Sequence, residues 1–261
     1  MIMPIIMFIL GLLLGSSIYA FVCRDHEHKD WLKGRSECDY CQHVLGPIDL
    51  IPVISWLILK GHCRYCRKPL SWQYPVVELL TAGLFSLSYV FWPFLFSGLG
   101  LFQFICWLLL MIGFMTLIIY DFKWYTLPDK IVFPLIVIAF IQSFVVSLVS
   151  GSLEHLIGGL IGAVVISGGF YLLFQLSDGK WIGGGDVKLG ICLGLVVGGP
   201  IKAVLLIFIA SLVGTLIAIP LLLKHRTLNR HIPFGPLLMI ATIMVFFLGS
   251  DLVSWYTRLI T

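Results

Sequence analysis

An all-α polytopic membrane protein with about eight transmembrane helices and a small cytoplasmic zinc-ribbon-like loop is the fold class this sequence predicts, on three observations. Hydrophobic residues make up 59% and charged residues 11% of its 261 residues, with mean hydropathy +1.03, against about 25% charged in an average globular protein. Long charge-free runs recur along the chain. Half of the charge, and two closely spaced cysteine pairs, fall in one segment, 24–78. With 17 basic and 13 acidic residues there is too little polar surface to cover a water-exposed globule, and the same composition excludes disorder. The net charge of +4 does not point to nucleic acid, because the cations are neither massed on one face nor interleaved with an aromatic stripe.

Stretches without Asp, Glu, Lys, Arg or His cover 1–23, 79–120, 131–153, 156–177, 203–223 and 232–250, each meeting the roughly 18 residues that signal a spanning helix. The N-terminal run has no basic residues ahead of it, so it reads as a retained helix rather than a cleavable signal. The 42-residue run 79–120 reads as two helices, because Pro93, Ser97, Gly98 and Gly100 mark a turn near its middle. Segment 189–201 would rise only about 20 Å against a hydrocarbon core of about 30 Å. It is either a short eighth span whose flanking Lys188 and Lys202 snorkel, or a re-entrant segment in a seven-helix chain.

With the N-terminus outside, loops 24–78, 121–130, 178–188 and 224–231 face the cytoplasm and carry 15 Lys+Arg, against only Lys202 and Arg258 outside. The domains predicted are therefore a first helix (1–23), a cytoplasmic four-cysteine zinc-binding loop (24–78) and a transmembrane catalytic domain (79–261).

Cys38-Asp39-Tyr40-Cys41 and Cys63-Arg64-Tyr65-Cys66 are two CxxC pairs separated by 21 residues. Each turn presents two sulfurs to one tetrahedral ion, so the pattern is that of a structural four-thiolate zinc site. Two disulfides are the alternative, disfavoured in a reducing cytosol. Such a zinc site leaves no open coordination position for catalysis. Cys23, Cys106 and Cys192 read as small packing residues. Asp25-His26-Glu27-His28 reads as a solvated charged stretch and lacks HExxH spacing.

Acids at membrane depth are costly and hence functional candidates. Glu78, Asp121, Asp129 and Asp186 stand at helix ends. Asp129 reads as a cap for the helix that follows it. Asp186 follows Gly183-Gly184-Gly185, a run that permits close backbone approach, although an isolated glycine run equally fits a flexible turn. Asp121 and Asp186 lie on different helices at similar cytoplasmic depth. If packing joins them they cannot both ionise; one ionised and one neutral carboxyl is the equipment of an aspartyl protease. No GxSxG or HExxH offers another hydrolytic route.

These features, taken in order, resemble bacterial type IV prepilin peptidases. The resemblance rests on Gly15-Ser16, the paired CxxC motifs, Ile51-Pro52 with Ser55-Trp56-Leu57, Tyr74-Pro75 with Glu78-Leu79, Asp121 with Leu127-Pro128-Asp129, and the GxGD box Gly183, Gly185, Asp186 with Val187-Lys188-Leu189. It implies an intramembrane aspartyl endopeptidase of the bacterial inner membrane with Asp121 and Asp186 catalytic. Its substrate would be a prepilin, or a pilin-like competence or secretion protein, cut on the cytoplasmic side after a glycine. Many members then methylate the new N-terminus with S-adenosylmethionine. Members with both activities usually read Gly-Ser-Phe-Leu-Asn in the first helix; here Tyr19 stands in place of the asparagine. No glycine-rich nucleotide-binding turn is visible. A polytopic transporter, or a zinc-stabilised membrane assembly protein without proteolytic activity, are the alternatives; the transporter would more often show internal repeats.

Overall fold

The computed structural model describes residues 2–27, 35–38, 40–225 and 233–260. The chain forms two compact units, Met1–Trp92 and Pro93–Thr261, and the described residues form helices with only isolated bridge pairs besides. Six helices are long and apolar enough to cross a membrane.

In the first unit, α1 (Ile2–His26) packs along α3 (Gln73–Val90), separated from it in sequence by the Cys loop, a 3-10 turn (Pro47–Leu50) and the short α2 (Ile54–Ile58). Two glycines on one face of α1 let the helices touch backbone to backbone. A Cβ on Gly11 would lie 2.6 Å from the Ala82 Cα, and one on Gly15 would lie 2.8 Å from the Glu78 Cα. Val22, Ala82 and Phe85 fill the seam. Tyr19, at the position of the family's asparagine, donates to Gln73 Oε1 at 2.7 Å and lays its ring 4.4 Å from Tyr74. The Glu78 carboxylate is buried and accepts the Val53 N–H at 2.7 Å.

In the second unit, α4 (Leu99–Trp124) is the most enclosed of the candidate spans, 67% of its apolar window being buried. Trp107, Leu110, Met111, Phe114 and Leu117 make it the core, and the Trp107 ring stacks on Phe246 with centroids 4.0 Å apart. Around it stand α5 (Asp129–Ser150), α6 (Glu154–Ala163) continued through a π-helical turn (Val164–Gly168) into α7 (Gly169–Leu176), α8 (Gly184–Val197), α9 (Pro200–His225) and α10 (Phe234–Ile260). As Pro93 to Gly100 predict, the 42-residue run divides between α3 and α4.

Two expectations are corrected. The short segment expected at 189–201 is a helix that starts at Gly184 and closes at Gly198 in a left-handed conformation, with Pro200 opening α9. Its 14 residues rise about 21 Å, and Leu189, Cys192 and Leu193 are wholly buried, so the rod is sheathed by protein rather than lipid. Asp129 is not a cap. Pro128 occupies that position, and the Asp129 carboxylate instead takes both hydrogen bonds of an ion pair with Lys188 Nζ of α8, each 2.7 Å. Of the Asp25–His28 stretch, His28 lies outside the described residues. Cys106 and Cys192 are buried as expected of packing thiols, and Cys23 is half-buried.

Candidate active site

Asp121 closes α4. It is 6% exposed, and its main-chain oxygen accepts the N–H of Tyr125, the left-handed residue that ends the helix. Asp186 lies in the first turn of α8, after an extended Gly183. Each carboxylate is held by a backbone N–H at the start of a helix: Asp121 by Gly235 in the first turn of α10, and Asp186 by Gly183 ahead of α8. Helix N-termini carry amides without intrahelical partners and the positive end of the dipole, so they suit carboxylates at a depth where water is scarce.

Gly235 marks where the acids meet. A Cβ there would lie 2.6 Å from Asp121 Oδ2, 3.5 Å from Asp186 Oδ1 and 3.5 Å from Leu127 Cδ1. The two oxygens are therefore at most about 6 Å apart, a span one water can bridge with hydrogen bonds of ~2.8 Å. Asp186 Oδ1 is buried with no hydrogen-bond partner among the described residues. An oriented water between two carboxyls, one able to accept and one able to donate a proton, is the equipment for hydrolysing an amide.

Of the glycine box, Gly185 is pressed by Leu127, whose Cβ would be 2.9 Å from a Cβ at that position. Gly183 supplies its N–H to Asp186. Sequence reasoning missed Gly235. Its signal was the Phe234-Gly235-Pro236 step ahead of a long apolar run, since proline favours a helix's first turn.

In the first unit, the sulfurs of Cys38, Cys41, Cys63 and Cys66 all lie within 4.8 Å of one another. The Cys38 and Cys66 sulfurs are 3.8 Å apart, the edge of a tetrahedron with metal–sulfur bonds of about 2.3 Å and far longer than an S–S bond of about 2.05 Å. Both halves are built alike. The Cys38 N–H donates to His43 O and Gln42 N–H to Cys38 O; the Cys63 N–H donates to Lys68 O and Arg67 N–H to Cys63 O. Gln42 and Arg67 both adopt positive φ, 55° and 56°. Burial opposes the Cys38 thiolate, but the N–H groups of Cys41 and Tyr40 and the facing thiols outweigh it and bring the thiol to about 7. The Lys68 N–H favours the Cys66 thiolate, while burial and the other three thiols push Cys66 up to about 11. The four cysteines could thus hold one metal ion. Arg64 Nε, 2.6 Å from Asp49, ties the second half to the 3-10 turn.

Residues 9–92 match the bacterial peptidase A24 N-terminal domain and residues 104–219 the type IV leader peptidase family. A prepilin leader peptidase/N-methyltransferase of Bacillus subtilis is 30% identical over 97% of this chain and 98% of its own length. The chain belongs to the type IV leader peptidase family. Proteins of the same description in Xanthomonas campestris and Pseudomonas aeruginosa are 39% and 34% identical, over 80% and 85% of this chain and 70% and 74% of theirs. No solved structure matches. The chain is thus a leader peptidase on a multi-pass membrane scaffold, and neither a transporter nor a non-enzymatic scaffold is favoured.

Proposed function

We propose that this leader peptidase removes the short leader of a type IV prepilin or pilin-like protein, cutting after a glycine, with Asp121 and Asp186 as the catalytic pair. The observation that carries the reading is the convergence of both carboxylates on Gly235 from separate helices. The pair shares one proton. The ionised carboxyl takes a proton from the bridging water as its oxygen attacks the scissile carbonyl carbon, and the neutral carboxyl gives its proton to the carbonyl oxygen. Collapse of the tetrahedral species breaks the C–N bond, and a proton passes from the pair to the leaving amine.

The charge bias of the loops supports an orientation with both acids and the Cys loop on the cytoplasmic side of the bacterial inner membrane, the N-terminus outside and the bilayer around the apolar helices. Residues 79–261 form the catalytic domain in this reading, and 24–78 its zinc-stabilised appendage. Zn2+ bound by Cys38, Cys41, Cys63 and Cys66 would supply folding energy to the loop and take no part in bond cleavage. S-adenosylmethionine is the donor for the methylation that the relatives' names include. Here Tyr19 directs its hydroxyl to Gln73 where dual-function members carry an asparagine, and these residues form no cradle for that cofactor.

Mass spectrometry of a prepilin co-expressed with the enzyme tests the whole reading, since it reports the cut position and any added methyl group together. Wild type yields a product that starts after the leader glycine; Asp121→Asn and Asp186→Asn leave the prepilin intact, each losing roughly 10²–10⁴ in rate. Full cleavage by both variants refutes the assignment.

A further inference from the structure

Leu127 stands where no side chain is needed for proton transfer. It lies in the link between α4 and α5, and its isobutyl group fills the space left by two bare glycines, one at the start of each helix that brings an amide to the acids' surroundings. Its Cβ and Cδ1 would be 2.9 and 3.2 Å from a Cβ on Gly185, and its Cδ1 3.5 Å from one on Gly235. The link is fixed at both ends. Tyr125 N–H holds Asp121 O at 3.0 Å, Pro128 O receives the N–H groups of Ile131 and Val132, and Asp129 grips Lys188 two residues beyond Asp186. Leu127 is therefore a rigid wall, carried by the same helices that carry the carboxylates.

Resting on the peptidase reading above, we propose that Leu127 is the specificity-determining residue that limits the position before the cut to glycine. The argument is one of length. Both carboxylate oxygens and the leucine methyl lie within 3.5 Å of the same point, so the methyl is at most about 6–7 Å from either oxygen. Into that distance must fit a water at ~2.8 Å, a carbonyl carbon ~3 Å from it and the Cα of the residue before the cut, ~1.5 Å further. Laid end to end these already reach the leucine. The Cα must lie against its methyl at ordinary contact, and a Cβ directed toward that wall has nowhere to go. Glycine alone presents a hydrogen there.

The test uses the full-length enzyme in membranes and one prepilin in three forms, with Gly, Ala or Ser before the cut. The readout is each rate relative to that of the glycine form, so differences in expression cancel. Wild type cuts the glycine form and cuts the alanine form at least about tenfold more slowly, the size of a one-methyl discrimination. In Leu127→Ala the Ala/Gly ratio rises at least about tenfold, in Leu127→Val it rises less, and in Leu127→Met, which conserves volume, it stays near wild type. The proposal is overturned if the ratio is unchanged in both Leu127→Ala and Leu127→Val, if wild type cuts both forms equally, or if both variants are inserted at normal levels yet cut nothing. Wild type that fails on the glycine form overturns the peptidase reading instead.

Discussion

Replacing Gly235 with alanine separates the chemistry of the acid pair from the stability of the fold. The new methyl would lie 2.6 Å from Asp121 Oδ2, where ordinary contact begins at 3.4 Å. Asp121 must swing back by about 0.8 Å, and a misplacement near 1 Å at a reacting group costs on the order of 10²-fold in rate. Only the far end of one side chain has to move, so the clash is cheap to relieve. Alanine in a helix is also favoured over glycine by up to ~1 kcal/mol, which offsets what strain remains. The expected variant is as stable as wild type and about a hundredfold slower. Single-turnover cleavage of a prepilin in detergent, beside thermal unfolding of the same sample, measures both quantities. A Gly235→Ala enzyme that cuts within threefold of wild type would show that the Gly235 position is not where the carboxylates act together.

Because one carboxyl must be ionised and the other neutral, cleavage rate against pH should be bell-shaped, and a flat profile across acidic and neutral pH contradicts a shared proton. Metal analysis of the purified protein should find about one zinc per chain, and Cys38→Ser with Cys63→Ser should abolish it; near-zero zinc in wild type with all four thiols free rejects the site. Burial alone would raise the Asp49 carboxyl, but Arg64, the Gly46 N–H and the Tyr65 hydroxyl hold it below the ordinary carboxylate range. A depressed folded value means its stabilisation is full above about pH 4 and fades as pH falls through that lower value. Asp49→Asn should therefore lower hydrogen-exchange protection of residues 46–70 by about 1 kcal/mol at neutral pH and lose part of its acid dependence; unchanged protection removes Asp49 from the account.

The spans were legible because lipid exposure imposes apolarity on every position of a helix, a demand that short motifs cannot blur. The cysteine turns were legible because tetrahedral coordination fixes their spacing. What escaped was pairwise and distant. Asp129 satisfies every local criterion for a cap, and its partner Lys188, 59 residues away, becomes visible only once α5 and α8 pack. The boundaries of α8 were misplaced because charge-free runs exclude Asp186 and Lys188, whereas the helix begins with the glycines before them. Gly235 carried no chemistry of its own, and a glycine valued for what it lacks gives no periodic signal.

The same reasoning ranks the glycines of the box, which sequence alone treats as one unit. Gly183 has φ −77° and ψ 149°, extended backbone open to any residue, and a Cβ there would meet Asp186 Oδ2 at an ordinary 3.6 Å. Its contribution is an N–H, which alanine keeps. A Cβ on Gly184 would have nothing nearer than 3.9 Å. Gly185 is different: its Cβ would meet Leu127 at 2.9 Å, and that leucine is tethered on both sides. Gly183→Ala and Gly184→Ala should therefore cut prepilin within a few-fold of wild type, while Gly185→Ala should fall by at least about tenfold as the start of α8 and its carboxylate are pushed off α4. Leu127→Ala in the Gly185→Ala background should restore part of the loss, because the colliding atoms are gone. Equal sensitivity at all three glycines would mean that the box serves backbone flexibility, and the packing of Leu127 against Gly185 would then be incidental.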